Sequence, residues 1–182
     1  MSQSLKGKKI AILVANGFEE VEMTKPREAL KNAGAITHII SPVIPEKNKV
    51  LSWHNHNWSN TYNVDVHLEE ADHSDYDALL LPGGVMNPDT LRLYSKAIDF
   101  IKKIGNANKP IAAICHGPWT LINAELVKGK TVTSWPSLQI DLHNAGANWV
   151  DQKVVVDGQL VTSRKPDDIP AFNDAMIELF AK

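Results

Sequence analysis

Five small or apolar residues, Pro110 to Ile114, run up to the only cysteine in the chain, Cys115, and read as a buried strand. His116, Gly117 and Pro118 follow at once, and then a helical run from Trp119 to Leu126. A strand that stops at a nucleophile and turns straight into a helix is a nucleophile elbow. The turn lifts the side chain clear of the sheet. The first turn of the helix directs free N–H groups and the positive end of its dipole at it. Both effects favour thiolate over thiol, so Cys115 is expected to be acidic and reactive rather than a structural buried cysteine.

The rest of the chain alternates strand and helix signals around this elbow. Strands are expected over Ile10–Ala15, Ile36–Ser41, Ala78–Leu81 and Thr131–Ser134, with a hairpin from Lys153–Asp157 through Gly158 to Leu160–Ser163. Helices are expected over Glu20–Ala33, Thr90–Ile104, Gln139–Ala145 and Ile169–Phe180. Pro26 falls inside the first helix, which should start near it or kink there. Ile169, Phe172, Met176, Ile177 and Phe180 mark the buried face of the last. Such alternation gives an α/β fold, a mostly parallel sheet with helices on both faces. No repeat, linker or low-complexity stretch breaks it, so one domain over 1–182 is expected.

Composition removes several function classes. A net charge of −2 gives no reason to expect nucleic acid or an anionic membrane as partner. No apolar run is long enough to cross a bilayer. The polar, basic start from Met1 to Lys9 has no signal-peptide core. A single cysteine cannot form an internal disulfide, and a cytoplasmic protein is expected.

In open α/β sheets ligands gather beyond the carboxyl ends of the strands. There the first strand is followed by Gly17-Phe18-Glu19-Glu20-Val21-Glu22, and the third by Pro82-Gly83-Gly84. The N–H groups of Gly84 and His116 are candidates for an oxyanion hole. One of the three glutamates, aimed inward, could hold a proton for the thiolate, while the others suit a helix N-terminus. His116 could pair with Cys115 if the two side chains meet, though neighbours at an elbow usually diverge. Neither a Walker loop nor a dinucleotide fingerprint is present, and no cofactor is expected. The segment Pro45 to Asp65 is the least regular, with Trp53, His54, His56, Trp58 and Tyr62. His54-x-His56 has no Cys, Asp or Glu close in sequence to complete a metal site, so no metal is expected. The segment reads as a surface excursion packing on the body or on a second subunit.

Together these motifs resemble the ThiJ/PfpI family of the class I glutamine amidotransferase-like superfamily. The likeness runs from Lys9–Val14 through Gly17–Glu22, Tyr76–Gly84 and Lys109–Pro118 to Asn144–Ala147, Val154–Gly158 and Thr162–Arg164. The Cys-His-Gly-Pro form is similar to the PfpI branch. The resemblance implies a flavodoxin-like three-layer sandwich with Cys115 at the elbow. It picks Glu22 as the buried carboxyl partner and supports Gly84 and His116 as the oxyanion hole. In PfpI-like peptidases an acid from a neighbouring subunit completes a Cys-His triad, and Asp89 holds that position here, in a loop about one residue longer. A homodimer or higher homo-oligomer is implied.

Two positions depart from the family pattern. Trp135 stands where some relatives have a histidine, and Ser163-Arg164-Lys165-Pro166 replaces Ser-Arg-His-Pro. Both remove imidazole and leave His116 as the one candidate base. The resemblance implies three activities. The first is a stress-response glyoxalase or deglycase acting on small reactive carbonyls or their protein adducts. The second is a PfpI-like cysteine peptidase or amidase. The third is a non-catalytic redox sensor or holdase chaperone. Carbonyl chemistry ranks first because it asks least of the missing imidazoles.

Overall fold

The computed structural model describes residues 4–42 and 48–182. The chain opens with β1 (Lys9–Leu13), the short β2 (Phe18–Glu19) and α1 (Glu20–Asn32), followed by β3 (Ile36–Ser41). Next come β4 (Lys49–His54), β5 (Asn57–Asn63), β6 (Val66–His67) and β7 (Ala78–Leu81). Then α2 (Met86–Leu91) and α3 (Ser95–Asn106) lead to β8 (Ile111–Ile114) and α4 (Pro118–Asn123). The last part holds β9 (Thr131–Val132), α5 (Gln139–Asn144), β10 (Asn148–Trp149), β11 (Val154–Asp157), β12 (Leu160–Ser163) and α6 (Ile169–Phe180).

The main sheet has seven strands in the order β11-β12-β8-β7-β1-β3-β6. All its pairings are parallel except β11 with β12. Alternation at period two divides its side chains between two cores. Ala11, Leu13, Leu79, Leu81, Ile111 and Ala113 face α2 to α5, with Phe100, Ile101, Leu121 and Leu142. Ile10, Ile12, Ala78, Leu80, Ala112 and Ile114 face α1 and α6, with Met23, Leu30, Phe172 and Met176. The result is the expected helix–sheet–helix sandwich. Among the described residues no helix is long and apolar enough to cross a membrane. The chain leaves β1 for β3 on one side and returns to β7 on the other, so the crevice beside β1 is a topological switch point.

Four elements differ from expectation. First, α1 starts at Glu20, six residues before Pro26, which is buried inside the helix. Second, the helix expected over Thr90–Ile104 is two helices, α2 and α3, parted at Arg92–Tyr94. Third, Thr131 and Val132 pair with β10 in a separate two-stranded sheet. Fourth, the irregular excursion is a β-hairpin, with one register shift between Leu51 and Trp53. Its Pro45–Lys47 start lies outside the described residues, but β4 and β5 pair antiparallel, and β2 adds a parallel strand to β4. Asn55 and His56 turn the hairpin with φ of 47° and 63°, the consecutive left-handed pair that a tight two-residue turn needs. On the face of α6, Leu179 is buried in place of the expected Ile177, which is only partly covered.

Glu20 fastens this hairpin to α1. Its carboxylate accepts hydrogen bonds from Asn60 Nδ2 at 2.7 Å and Tyr62 Oη at 2.5 Å. Partial burial pushes its pKa up, but hydrogen bonds from Ser59, Tyr62, Asn60 and Ser52 win and hold it at about 2. A folded pKa below the ordinary 4.5 gives stability that is present above that pH and fades as pH falls toward 2. Glu20→Gln should therefore cost about 1–2 kcal/mol at pH 7. Thermal melts of variant and wild type should converge as the pH is lowered; a gap independent of pH would rule the carboxylate out as the clamp.

Candidate active site

Cys115 ends β8 with φ of 62°, a conformation an L residue rarely takes. Its backbone is fixed on both sides. Its N–H donates to Ser163 O at 3.0 Å, and its carbonyl accepts from Trp135 N at 2.9 Å. Gly117 N donates back to Ile114 O at 2.8 Å, closing the turn, and Pro118 starts α4 where no N–H is needed. The elbow expected from sequence is thus present.

Glu22 projects from the first turn of α1 to the same point and has no exposed surface. Its Oε2 accepts from Gly83 N at 3.0 Å, while Oε1 has no hydrogen-bond partner among the described residues, and the carboxyl group interacts with the Cys115 thiol. A Cβ on Gly83 would stand 2.6 Å from both Cys115 Cβ and Glu22 Oε2, so only glycine fits between the two groups. A Cβ on Gly84, which has φ of +76°, would stand 2.6 Å from Gly17 O and 2.8 Å from Glu19 N, with the same consequence. Asn87 holds the two loops in place. Its Oδ1 accepts from Ala15 N at 2.7 Å, and its Nδ2 donates to Pro82 O and Gly83 O. Asn87 is fully buried, and nothing in its sequence context marked it.

Burial raises the Glu22 pKa to about 8, with the Glu19 charge adding to it and Cys115, Gly83 and Gly84 opposing. Burial also pushes the Cys115 thiol up, and the Glu22 charge pushes further, while N–H groups of Gly84 and His116 pull it down. The expectation of a simply acidic thiol therefore gives way to a coupled pair. Neither member ionises without opposing the other. Two N–H donors at the sulfur favour negative charge there, but burial and the Glu22 charge outweigh them in the free protein.

The side chains of Cys115 and His116 do meet, with Sγ 3.3 Å from Nδ1. Burial lowers the His116 pKa to about 4, so the ring is neutral at pH 7. Its Nε2 faces the Ser137 hydroxyl at 3.4 Å, and its ring stacks on Trp135 at 6.0 Å between centroids. Among the described residues no acid orients it; its ring nitrogens face Cys115 and Ser137. Asp89 sits on α2 with its side chain 66% exposed, 4.0 Å from Arg92.

A pocket of about 590 Å³ opens over the thiol. Glycines 17 and 84, Glu19, Glu22, Cys115, His116 and Pro166 lie around it, with Val85, Met86 and Trp135 on one side and Trp53 and His56 from the hairpin. The hairpin is thus part of the site, which the sequence reading missed. It also returns an imidazole, His56, to a neighbourhood where His116 was expected to be alone. The three glutamates have three fates: Glu22 is buried at the thiol, Glu20 clamps the hairpin, and Glu19 pairs with His54 Nδ1 at 3.2 Å on the pocket wall. That last contact supplies the acid missing near His54 in sequence. Even so, among the described residues no three His, Cys, Asp or Glu side chains cluster as a metal site would require.

Residues 8–179 match the model of the DJ-1/PfpI family. General stress protein 18 of Bacillus subtilis is 44% identical over 97% of this chain and 99% of its own length. Protein/nucleic acid deglycase 2 of Escherichia coli is 41% identical over 94% of this chain and 98% of its own. A crystal structure of a two-domain protein from Anabaena variabilis, with DJ-1/ThiJ/PfpI-like and ferritin-like domains, superposes with a TM-score of 0.87. That match is 34% identical and covers 94% of this chain and 47% of the other. The chain belongs to the DJ-1/PfpI family, and the flavodoxin-like sandwich is its fold.

Coupling between Cys115 and Glu22 is open to a direct check. Alkylation of Cys115 by iodoacetamide, followed against pH, should spread over two steps in the wild type. In Glu22→Gln it should collapse to one step complete at lower pH, because no carboxylate charge then opposes the thiolate. Identical curves would mean that the two groups titrate independently.

Proposed function

We propose that the chain is a cysteine-dependent enzyme of carbonyl stress, acting on 2-oxoaldehydes or their protein adducts. The observation that carries this reading is Glu22, a carboxyl group buried against the thiol with one oxygen free of any further partner. Such a group can deliver and retrieve a proton at the thiol. The relatives named as a stress protein and a deglycase support the class. The deglycase name extends to nucleic acid, so adducts on that polymer enter the reading too, against the expectation drawn from net charge.

The reaction balances without a cofactor. The Cys115 thiolate adds to the aldehyde carbon, and the new alkoxide lies beside the N–H groups of Gly84 and His116 and takes the Glu22 proton. The Glu22 carboxylate then removes hydrogen from that carbon, giving an enediol, and returns the proton to the neighbouring carbon. The aldehyde carbon is oxidised to a thioester while the ketone carbon is reduced to an alcohol, so no outside oxidant is needed. Water hydrolyses the thioester, and thiolate leaves with release of a 2-hydroxy acid.

The peptidase reading has one observation of its own, the 3.3 Å contact between Cys115 and His116. It needs an acid to orient the ring, and Asp89 would have to serve a neighbouring subunit. Self-association is part of our proposal, supported by Leu93 and Ile140, apolar side chains left 84% and 64% exposed. One free cysteine suits a reducing compartment such as the cytoplasm.

Purified protein should convert methylglyoxal to lactate, and Cys115→Ser should abolish the conversion. Glu22→Gln should lower kcat by about 10²–10⁴-fold. Because Glu22 must carry its proton, and burial raises its pKa well above the ordinary carboxylate range, activity should persist through neutral pH and fall at alkaline pH as that proton is lost. Full activity in Glu22→Gln would remove its assigned role. Cleavage of fluorogenic peptides without lactate formation would transfer the assignment to the peptidase. Silence toward both would favour a sensor or holdase.

A further inference from the structure

The pocket is far larger than the smallest substrate of its proposed class. A water molecule's share of liquid volume is about 30 Å³. Methylglyoxal, with five non-hydrogen atoms, replaces roughly two or three waters on that scale. Bonded to Sγ, it would leave most of the 590 Å³ empty. The walls that remain uncovered have one chemistry. Trp53 and Trp135 present indole rings, and Val85, Met86 and Pro166 present aliphatic surface. Val85 is 56% exposed and Trp135 39%, and both line the pocket. Both indoles are held in place. Trp53 meets Trp58 edge to face at 5.3 Å, and Trp135 stacks on the His116 ring.

Charge narrows the choice further. The carboxyl groups reaching the pocket are Glu19 and Glu22, the imidazoles are His56 and His116, and the ring that pairs with Glu19 is His54, itself outside the lining. No Lys or Arg side chain lines the pocket. A substrate with its own carboxylate would meet the Glu19 carboxylate and no Lys or Arg, and would lose its hydration without a full replacement.

We propose, building on the carbonyl reading above, that the site selects uncharged 2-oxoaldehydes bearing an aromatic or similarly bulky apolar substituent. The aldehyde lies at Cys115, and the substituent lies between Trp53 and the wall formed by Val85, Met86 and Trp135. Offset or edge-on ring packing against the indoles and removal of apolar surface from water supply the preference. The chemistry is unchanged. Thiolate adds to the aldehyde carbon of phenylglyoxal, hydrogen passes to the adjacent carbon, and water releases mandelate.

The test compares kcat/KM for phenylglyoxal and methylglyoxal in wild type, Trp53→Leu, Trp53→Phe and Val85→Ser, with Cys115→Ser as blank. The expected wild-type ratio is at least tenfold in favour of phenylglyoxal. Trp53→Leu and Val85→Ser should each reduce that ratio several-fold, mainly through KM for phenylglyoxal. Trp53→Phe, which keeps an aromatic face on the hairpin, should retain most of it and guards against a hairpin that merely fails to fold. Methylglyoxal turned over as well as phenylglyoxal by the wild type would overturn the selectivity while leaving the carbonyl reading intact. A tenfold ratio untouched in Trp53→Leu and Val85→Ser would overturn the placement of the substituent. Absence of Cys115-dependent turnover of either aldehyde would overturn both readings together.

Discussion

A carboxyl group with no exposed surface lies beside a thiol that is almost as deeply buried, and three segments distant in sequence converge on that contact. Glu22 arrives from the first turn of α1, Cys115 from the end of β8, and Gly83 from the end of β7. Gly83 donates its N–H to the carboxylate and has no side chain to keep the two groups apart. A charge on either group would face low dielectric and a like-charged neighbour, so the pair holds on to a proton well above the ordinary carboxylate range. Proton retention in that pair gives the site its character: a thiol with a carboxyl proton donor already in place.

The scaffold meets this demand by rigidity around the elbow. Cys115 keeps its left-handed backbone because Ser163 and Trp135 hold the peptide groups on both sides. Residues in such conformations cost of order 1–3 kcal/mol and persist only when their surroundings over-determine them. Asn87 does the equivalent for the facing loops, linking the end of β1 to the end of β7 with all its polar atoms used. The parallel strands between them are fully buried on both faces, so the loop ends have little freedom to drift apart.

The hairpin plays a different part. It adds no group to the pair itself, and it reaches the site through Glu20, which ties it to α1, and through Glu19, which pairs with His54. Three successive acidic positions therefore do three jobs because helix and strand geometry point them in three directions. Glu19 ends β2, Glu20 starts α1 on the hairpin side, and Glu22 turns inward. The pocket's breadth and apolar lining come from this added wall together with Trp135.

Local pattern was enough to specify the sheet strands at β3, β7 and β8, the long α6, the elbow and the α/β class. Apolar runs and helical periodicity depend only on neighbours in the chain. The family motifs likewise marked Cys115, Glu22 and Gly84. Tertiary structure decided whatever depends on distant residues. It showed that Cys115 and His116 touch, that the thiol's pKa belongs to a pair, and that Asn87 is a buried strut. It also showed that Asn55-His56 closes a hairpin over the site. The tight-turn signal was present there, but Asn-His carries it more weakly than Asn-Gly, and β5 is largely exposed, so no buried alternation announced a strand. The ionisation of a buried group follows the same rule. Its residue type is written in the sequence, but its proton affinity is set by the solvent it loses and by the charges the fold brings to it.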